Sequence, residues 1–325
     1  MRLLSLVFLF SIFLSCSKKG AEQVLSAKRE ALYFLTTGDC KEAQELLESV
    51  TPENDDSAYI SLYASVFECY ASYSQMDTVI DELSTIQSDT TNLFTTLAAF
   101  DSAQEVTSFD DVKYTNILKA ISIISDSSPV NGSAGRVEHF GAGGGGDLNY
   151  QALFLTTIGL AKYLAAYGNV DSSGNKGSGG GTEVCLAQYN YGQVNTIYLD
   201  VLGADSCSSG TTSNGETSIN TSDTDYLRRL CEGVVLYNQF VDLLVNLVLP
   251  GDASDLGNLV DVASVLEDFN TVAAAALGIT GDSAAITTYG DIRSVTGCIE
   301  AAEVGVTNSN HLETYFSLFL EGNHN

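Results

Sequence analysis

Apolar residues recur at helical spacing along most of this 325-residue chain. An apolar run from Leu3 to Leu14, interrupted only by Ser5 and Ser11, follows Met1-Arg2. Beyond it, Val24, Ala31, Leu32 and Leu35 share one face of a first helix, which Thr36-Thr37-Gly38 ends. Asp39 and Glu42 then stand three apart, the pattern of a capping box with Asp39 as the cap. Ala43, Leu46, Leu47 and Val50 follow at i, i+3, i+4 and i+7 until Pro52 closes the segment. A third helix over about 57–73 has two apolar stripes: Tyr59, Leu62, Tyr63, Val66 and Tyr70, and beside them Ile60, Ala64, Phe67 and Ala71. A helix that is apolar on two sides packs between neighbours. Met76, Val79, Ile80 and Leu83 then repeat the spacing of the second helix.

Further helices are predicted at Asn92–Ser102, Asp111–Ser125 and Leu148–Tyr167. Three stretches read as long surface loops: Asn131–Asp147 with its run Gly141–Gly146, Asn169–Gly181, and Gly203–Thr224. Between the last two, Gln193–Val201 reads as a short strand or a strained loop. Asp225–Leu249 is long and largely apolar, but Asn238, Asp242 and Asn246 recur every four residues along one stripe. That polar row argues against a membrane span and reads as a solvated face or the wall of a polar cleft. Leu256–Leu277, Asp291–Val306 and His311–Glu321 complete the helical second half. The expected class is all-α: stacked antiparallel helix pairs, then a helical bundle, with long Gly/Ser-rich loops. The expected segments are a leader over 1–15, a tether over 16–23, helix pairs over 24–168, a loop-rich stretch over 169–224 and a bundle over 225–325.

At about 1.5 Å per residue, Leu3–Leu14 reaches roughly 18 Å, short of a hydrocarbon core of about 30 Å. A short apolar core after a positive residue reads as a secretory signal. Phe13-Leu14-Ser15-Cys16 at its end resembles the lipobox of bacterial lipoproteins. The resemblance implies diacylglyceryl transfer to the Cys16 thiol, cleavage before Cys16 and acylation, with palmitate or a similar chain, of the new amino terminus. Ser17-Lys18-Lys19-Gly20 then serves as a tether, and Ser17, which is not Asp, favours the outer membrane over the inner one by resemblance to sorting in diderm bacteria. Gly38-Asp39-Cys40-Lys41-Glu42-Ala43 with Leu47 resembles a tetratricopeptide repeat over residues 24–86. In such an array the second helix of one pair runs antiparallel to the first helix of the next. The resemblance therefore brings Cys40 within bridging reach of Cys69.

Composition narrows the function. The chain has 14 Lys and Arg, including Arg2 of the leader, against 41 Asp and Glu. Nucleic-acid binding needs basic patches, and none exists. Of seven cysteines, Cys16 is set aside for lipid, leaving Cys40, Cys69, Cys185, Cys207, Cys231 and Cys298. An even remainder in an oxidising compartment points to disulfides, although six cysteines allow 15 connectivities. A Cys185–Cys207 bridge would stabilise by roughly 3 kcal/mol, and Cys231 and Cys298 would staple the bundle.

No catalytic constellation is visible. His139, His311 and His324 lie far apart, and no H-E-x-x-H or C-x-x-C spacing occurs. Gly141–Gly146 has no following Lys-Ser/Thr and reads as a flexible linker rather than a phosphate loop. Asn169, Asp171 and Ser173, followed by Gly174, imitate the first half of a calcium loop. Gly180 stands where the loop needs its acid, so a plain turn and no metal are expected. Asn238, Asp242 and Asn246 are the candidate ligand stripe. The expectation is a lipid-anchored envelope protein that is not an enzyme, carries no cofactor and binds an envelope or surface protein as a helical scaffold. The alternative is a small-ligand-binding or transport-accessory lipoprotein with a pocket between its helical halves.

Overall fold

The computed structural model describes residues 2–51, 56–75, 93–106, 110–130, 132–168, 170–172, 186–191, 194, 219–246, 266, 270–271, 273–275, 277 and 283–321. The chain is all-α. Its first three helices are α1 (Arg2–Thr37), α2 (Cys40–Glu48) and α3 (Ser57–Tyr70). The segment read as a tether is helical and continuous with α1. Gly38 ends α1 at φ 81°, a left-handed position that suits glycine. Asp39 N donates to Phe34 O and Gly38 N to Leu35 O, which is the Schellman arrangement. The capping box at Asp39 is a correction: its carboxylate makes no cap bond to α2 and instead accepts from Thr37 Oγ1 at 2.7 Å.

Both stripes of α3 are used. On one side Val66 joins Ala31, Ala43 and Leu47 in a small core flanked by Phe34, Tyr59, Leu62 and Tyr63. Tyr59 and Tyr70 donate from α3 to Leu47 O and Gln44 Oε1 of α2, each at 2.9 Å. On the other side Ala64 and Ala71 enter the main core. Asp56 caps α3 at Tyr59 N and accepts from Lys28 Nζ at 2.7 and 2.9 Å, so one carboxylate starts α3 and ties it to α1. A Cys40–Cys69 disulfide joins the start of α2 to the end of α3. The candidate second repeat at Met76, Val79, Ile80 and Leu83 lies outside the described residues.

The main core is built from α4 (Leu93–Ala98), α5 (Asp101–Gln104), α6 (Val112–Ser125), α7 (Gly132–Gly168), α8 (Tyr226–Val245), α9 (Ala284–Tyr289), α10 (Val295–Glu303) and α11 (Val306–Phe316). A π turn over Ser317–Glu321 follows α11. The single helix expected at Asn92–Ser102 is two, parted at Ala99–Phe100. Leu266, Ala273 and Leu277 are helical and buried, in keeping with the helix expected over Leu256–Leu277. Helix α7 touches α3, α4, α5, α6 and α8. Leu153, Leu155, Ile158, Leu160, Tyr163 and Leu164 are all buried, the pattern of a helix enclosed on every side. Residues from Ala64 to Leu320 share this one core, so α4–α7 pack with the C-terminal helices. A Cys231–Cys298 disulfide staples α8 to α10. Cys185, Cys207 and 195–201 lie outside the described residues. Near them, Leu186–Gln188 pairs with Ile219 through an isolated parallel bridge, and Tyr191 N donates to buried Glu313 at 2.7 Å.

Gly132–Asp147 is not a loop, and its glycine run is not a linker. Helix α7 has two arms that meet at Gly141, where φ is 76° and ψ 169°. Asn149 Nδ2 donates to Ser133 O at 3.0 Å, although an unbroken helix would hold these residues about 24 Å apart. The arms therefore fold back on each other. A Cβ on Gly145 would lie 2.4 Å from Arg136 O and 2.6 Å from Val137 Cα, so backbone meets backbone there. Glycine costs a helix roughly 1 kcal/mol against alanine, and the close approach explains why the sequence tolerates it here.

This makes a paired prediction. Gly145→Ala is expected to lower stability in urea unfolding by about 1–3 kcal/mol through overpacking. Gly146→Ala, whose Cβ would meet nothing within 4 Å, should leave stability unchanged or raise it by up to about 1 kcal/mol.

Candidate functional site

The polar stripe of α8 borders a cleft of about 240 Å³. Its walls are Tyr237, Asn238, Val241, Asp242 and Val245 of α8 and Asn246 at its end, with Asn270, Gly290, Arg293 and Tyr315 completing the lining. The solvated-face reading of the stripe is corrected at its first member, because Asn238 is 3% exposed. Its Nδ2 donates to Tyr289 O at 2.7 Å and Ile292 O at 3.0 Å, and its Oδ1 accepts from Tyr315 Oη at 2.6 Å. A buried amide must be paired in this way, since an unsatisfied one costs about 1–3 kcal/mol. Asn238 thus fixes the turn after α9 and the face of α11 against α8.

Asp242, the second member, accepts from Ser133 N at 2.8 Å. Its carboxylate therefore sits at the amino end of the first arm of α7, where the helix dipole favours negative charge. Asn246 Nδ2 donates to Asp242 O at 2.9 Å and to its Oδ1 at 3.3 Å. Across the cleft, Arg293 Nη1 donates to Gly290 O at 2.8 Å and Ile292 O at 3.1 Å, while Gln239 Nε2 donates to Arg293 O at 2.9 Å. Arg293 Nε is buried without a hydrogen-bond partner. Behind Asp242, Arg136 is 3% exposed and gives its Nε to Asn149 Oδ1 at 2.6 Å. Burial pushes the Arg136 guanidinium down to about 10, with Asp242 opposing that shift and Arg293 adding to it. It remains a cation at neutral pH.

A second polar cluster lies where α6 meets α8. Glu232 is 2% exposed, and it accepts from Arg228 Nε at 2.9 Å and from Tyr114 Oη at 3.4 Å. Burial pushes its carboxyl up to about 7 against the pull of Arg228, Tyr114 and Arg229. Burial likewise raises Glu68, which accepts from Gln151 and Gln75, and Glu313, which accepts from Tyr191 N and Tyr226 Oη. These three carboxyls join separate elements, and none borders the cleft.

The other candidate residues do not converge. His139 and His311 stand on the first arm of α7 and on α11, and His324 lies outside the described residues. Of the calcium candidates, Asp171 is exposed, and Asn169 and Ser173 lie outside the described residues. Among the described residues no group of three or more His, Cys, Asp or Glu is placed to hold a metal. Nor is any helix among them long and apolar enough to cross a membrane. Sequence reasoning found the α8 wall of the cleft but missed Arg293, Asn270 and Tyr315 as its other side; Tyr315 shares an apolar face with Leu312, Phe316 and Phe319 and reads there as a core position. No protein-family model, curated protein or solved structure matches the chain.

Glu232 carries a pH prediction. Its native carboxyl holds a proton to about pH 7, whereas an unfolded one releases it near pH 4.3. The native state therefore binds more protons between these values, and its stability falls as pH rises through that window. Glu68 and Glu313 act in the same direction. In urea unfolding from pH 4.5 to 8, Glu232→Gln should show a shallower decline than the native sequence. An equal decline would assign the effect to the other two.

Proposed function

We propose that this protein is a lipid-anchored lipoprotein of the bacterial envelope that works by binding a protein partner through its amino-terminal helices. The short apolar run and Ser15-Cys16 support the anchor. Several acyl chains at about 0.8 kcal/mol per buried methylene would hold it stably at a bilayer, with the outer membrane favoured by Ser17. The observation that carries the binding role is the outer face of α1. Leu25, Leu32 and Tyr33 are 45%, 53% and 63% exposed on one side, while Ala27 and Ala31 opposite them are buried. An apolar stripe on a helix tied to the start of α3 by Lys28–Asp56 suits an envelope protein that presents an apolar helix face of its own. The tetratricopeptide-like pairing belongs to this proposal, with α1–α3 as its first members.

A second reading is favoured by the cleft, which suits a small polar ligand between α8 and the turn at Gly290–Arg293.

Two measurements test the leading proposal. Intact mass of the native product should show a chain that begins at Cys16 and carries acyl groups. A bare sulfur, or a different first residue, would remove the anchor. A photo-crosslinking side chain at Tyr33 should trap a discrete heterologous band in whole cells, and one at exposed Glu303 should not. Equal, diffuse labelling at both positions would remove α1 as the binding face.

A further inference from the structure

The cleft holds two side chains of opposite charge, Asp242 and Arg293. Neither forms an ion pair with the other or with any described residue. Each is held instead by neutral groups. Asp242 is aimed by the Ser133 amide and by Asn246, and Arg293 by the carbonyls of Gly290 and Ile292. Holding a charge with neutral dipoles fixes its position, and Arg136, buried behind Asp242, attracts that carboxylate without a direct ion pair. Both side chains are partly exposed, so each charge stays open to a group that enters the cleft. Two features sharpen the point. Arg293 Nε is buried and unpartnered, and the chain offers 41 acidic residues from which a partner for this arginine could have been drawn.

Neutral donors and acceptors line the same cleft. Asn246 and Asn270 present amides, while Val241, Val245 and the Tyr237 ring supply a short apolar wall. The volume of about 240 Å³ lies below the roughly 300–1,000 Å³ usual for drug-sized ligands. A small molecule bearing both charges and a short apolar group matches all of these features.

We infer that the cleft binds a small zwitterion of the amino-acid class, its ammonium group on Asp242, its carboxylate on Arg293 and its side chain against Val241 and Val245. This inference rests on the second reading above, in which the cleft is a ligand site. A ligand with one charge alone would leave the opposite side chain uncompensated, so both charges contribute to selectivity.

The test is calorimetric titration of the full mature chain with alanine, valine and leucine, each beside its N-acetyl and its carboxamide derivative. At least one free amino acid should bind, and removing either charge should weaken it tenfold or more. Arg293→Gln should weaken the free amino acid and leave the carboxamide unchanged, and Asp242→Asn should likewise weaken the free amino acid and leave the N-acetyl form unchanged. Because Asp242 also caps α7, the derivative series on the native sequence decides the matter if that variant fails to fold. If a singly charged derivative binds as tightly as the free amino acid, the zwitterion assignment falls while the ligand site stands. If no probe binds, or if Val241→Trp leaves binding unchanged, the cleft reading falls with it.

Discussion

The two arms of α7 touch backbone to backbone, and much else in the structure is arranged around that contact. Where Gly145 meets Arg136 and Val137, no side chain separates the strands of main chain. The first arm is thereby laid alongside the second and brought end-on to α8. The Ser133 amide in its first turn then meets Asp242, and its Arg136 is carried into the interior beside Asn149. The second arm is left free to run through the core, where Leu153, Leu155, Ile158, Leu160, Tyr163 and Leu164 are all buried. A bulkier residue at that crossing would move the first arm, and with it the group that orients one wall of the cleft.

How much of this was legible in the sequence depends on what kind of signal each part leaves. Helix α6 and the second arm of α7 follow from apolar spacing, because burial on one or more faces leaves a periodic trace. The Cys40–Cys69 bridge was in reach once α2 and α3 were read as an antiparallel stack. The glycine run was misread for a physical reason. Glycine opposes helix in isolation, so composition alone points to a loop, and only a tertiary contact such as that at Gly145 reverses the balance. Asp39 failed as a cap because Thr37, two residues earlier, offers its carboxylate a closer hydroxyl. Asn238 was visible as a polar interruption, but its burial was not, because the carbonyls and hydroxyl that satisfy it come from Tyr289, Ile292 and Tyr315. Contacts of that kind join distant positions and have no period to detect.

The interior is unusually rich in groups that must be satisfied. Lys162 reaches Ser102 O, Gln151 is shared among Ser61, Ser65 and Glu68, and Glu313 receives both Tyr191 N and Tyr226 Oη. Each such residue ties two elements with directional bonds, where an apolar contact would allow sliding. In a core built from many alanines and leucines on parallel and antiparallel helices, these bonds select one register among several of similar packing. The same logic explains why Asn238 is central: it locks three elements by geometry, which shape alone would hold less firmly.

The Cys231–Cys298 link spans 67 positions of sequence and joins α8 to α10 across the intervening chain. A single backbone cut anywhere between those residues leaves one covalent molecule, with both ends still tied at the core. Cleavage there is a nick and does not release a fragment, and the α8 wall stays attached to the turn that faces it. Separating the two sides of such a nick therefore takes two kinds of chemistry, hydrolysis of the backbone and reduction of sulfur.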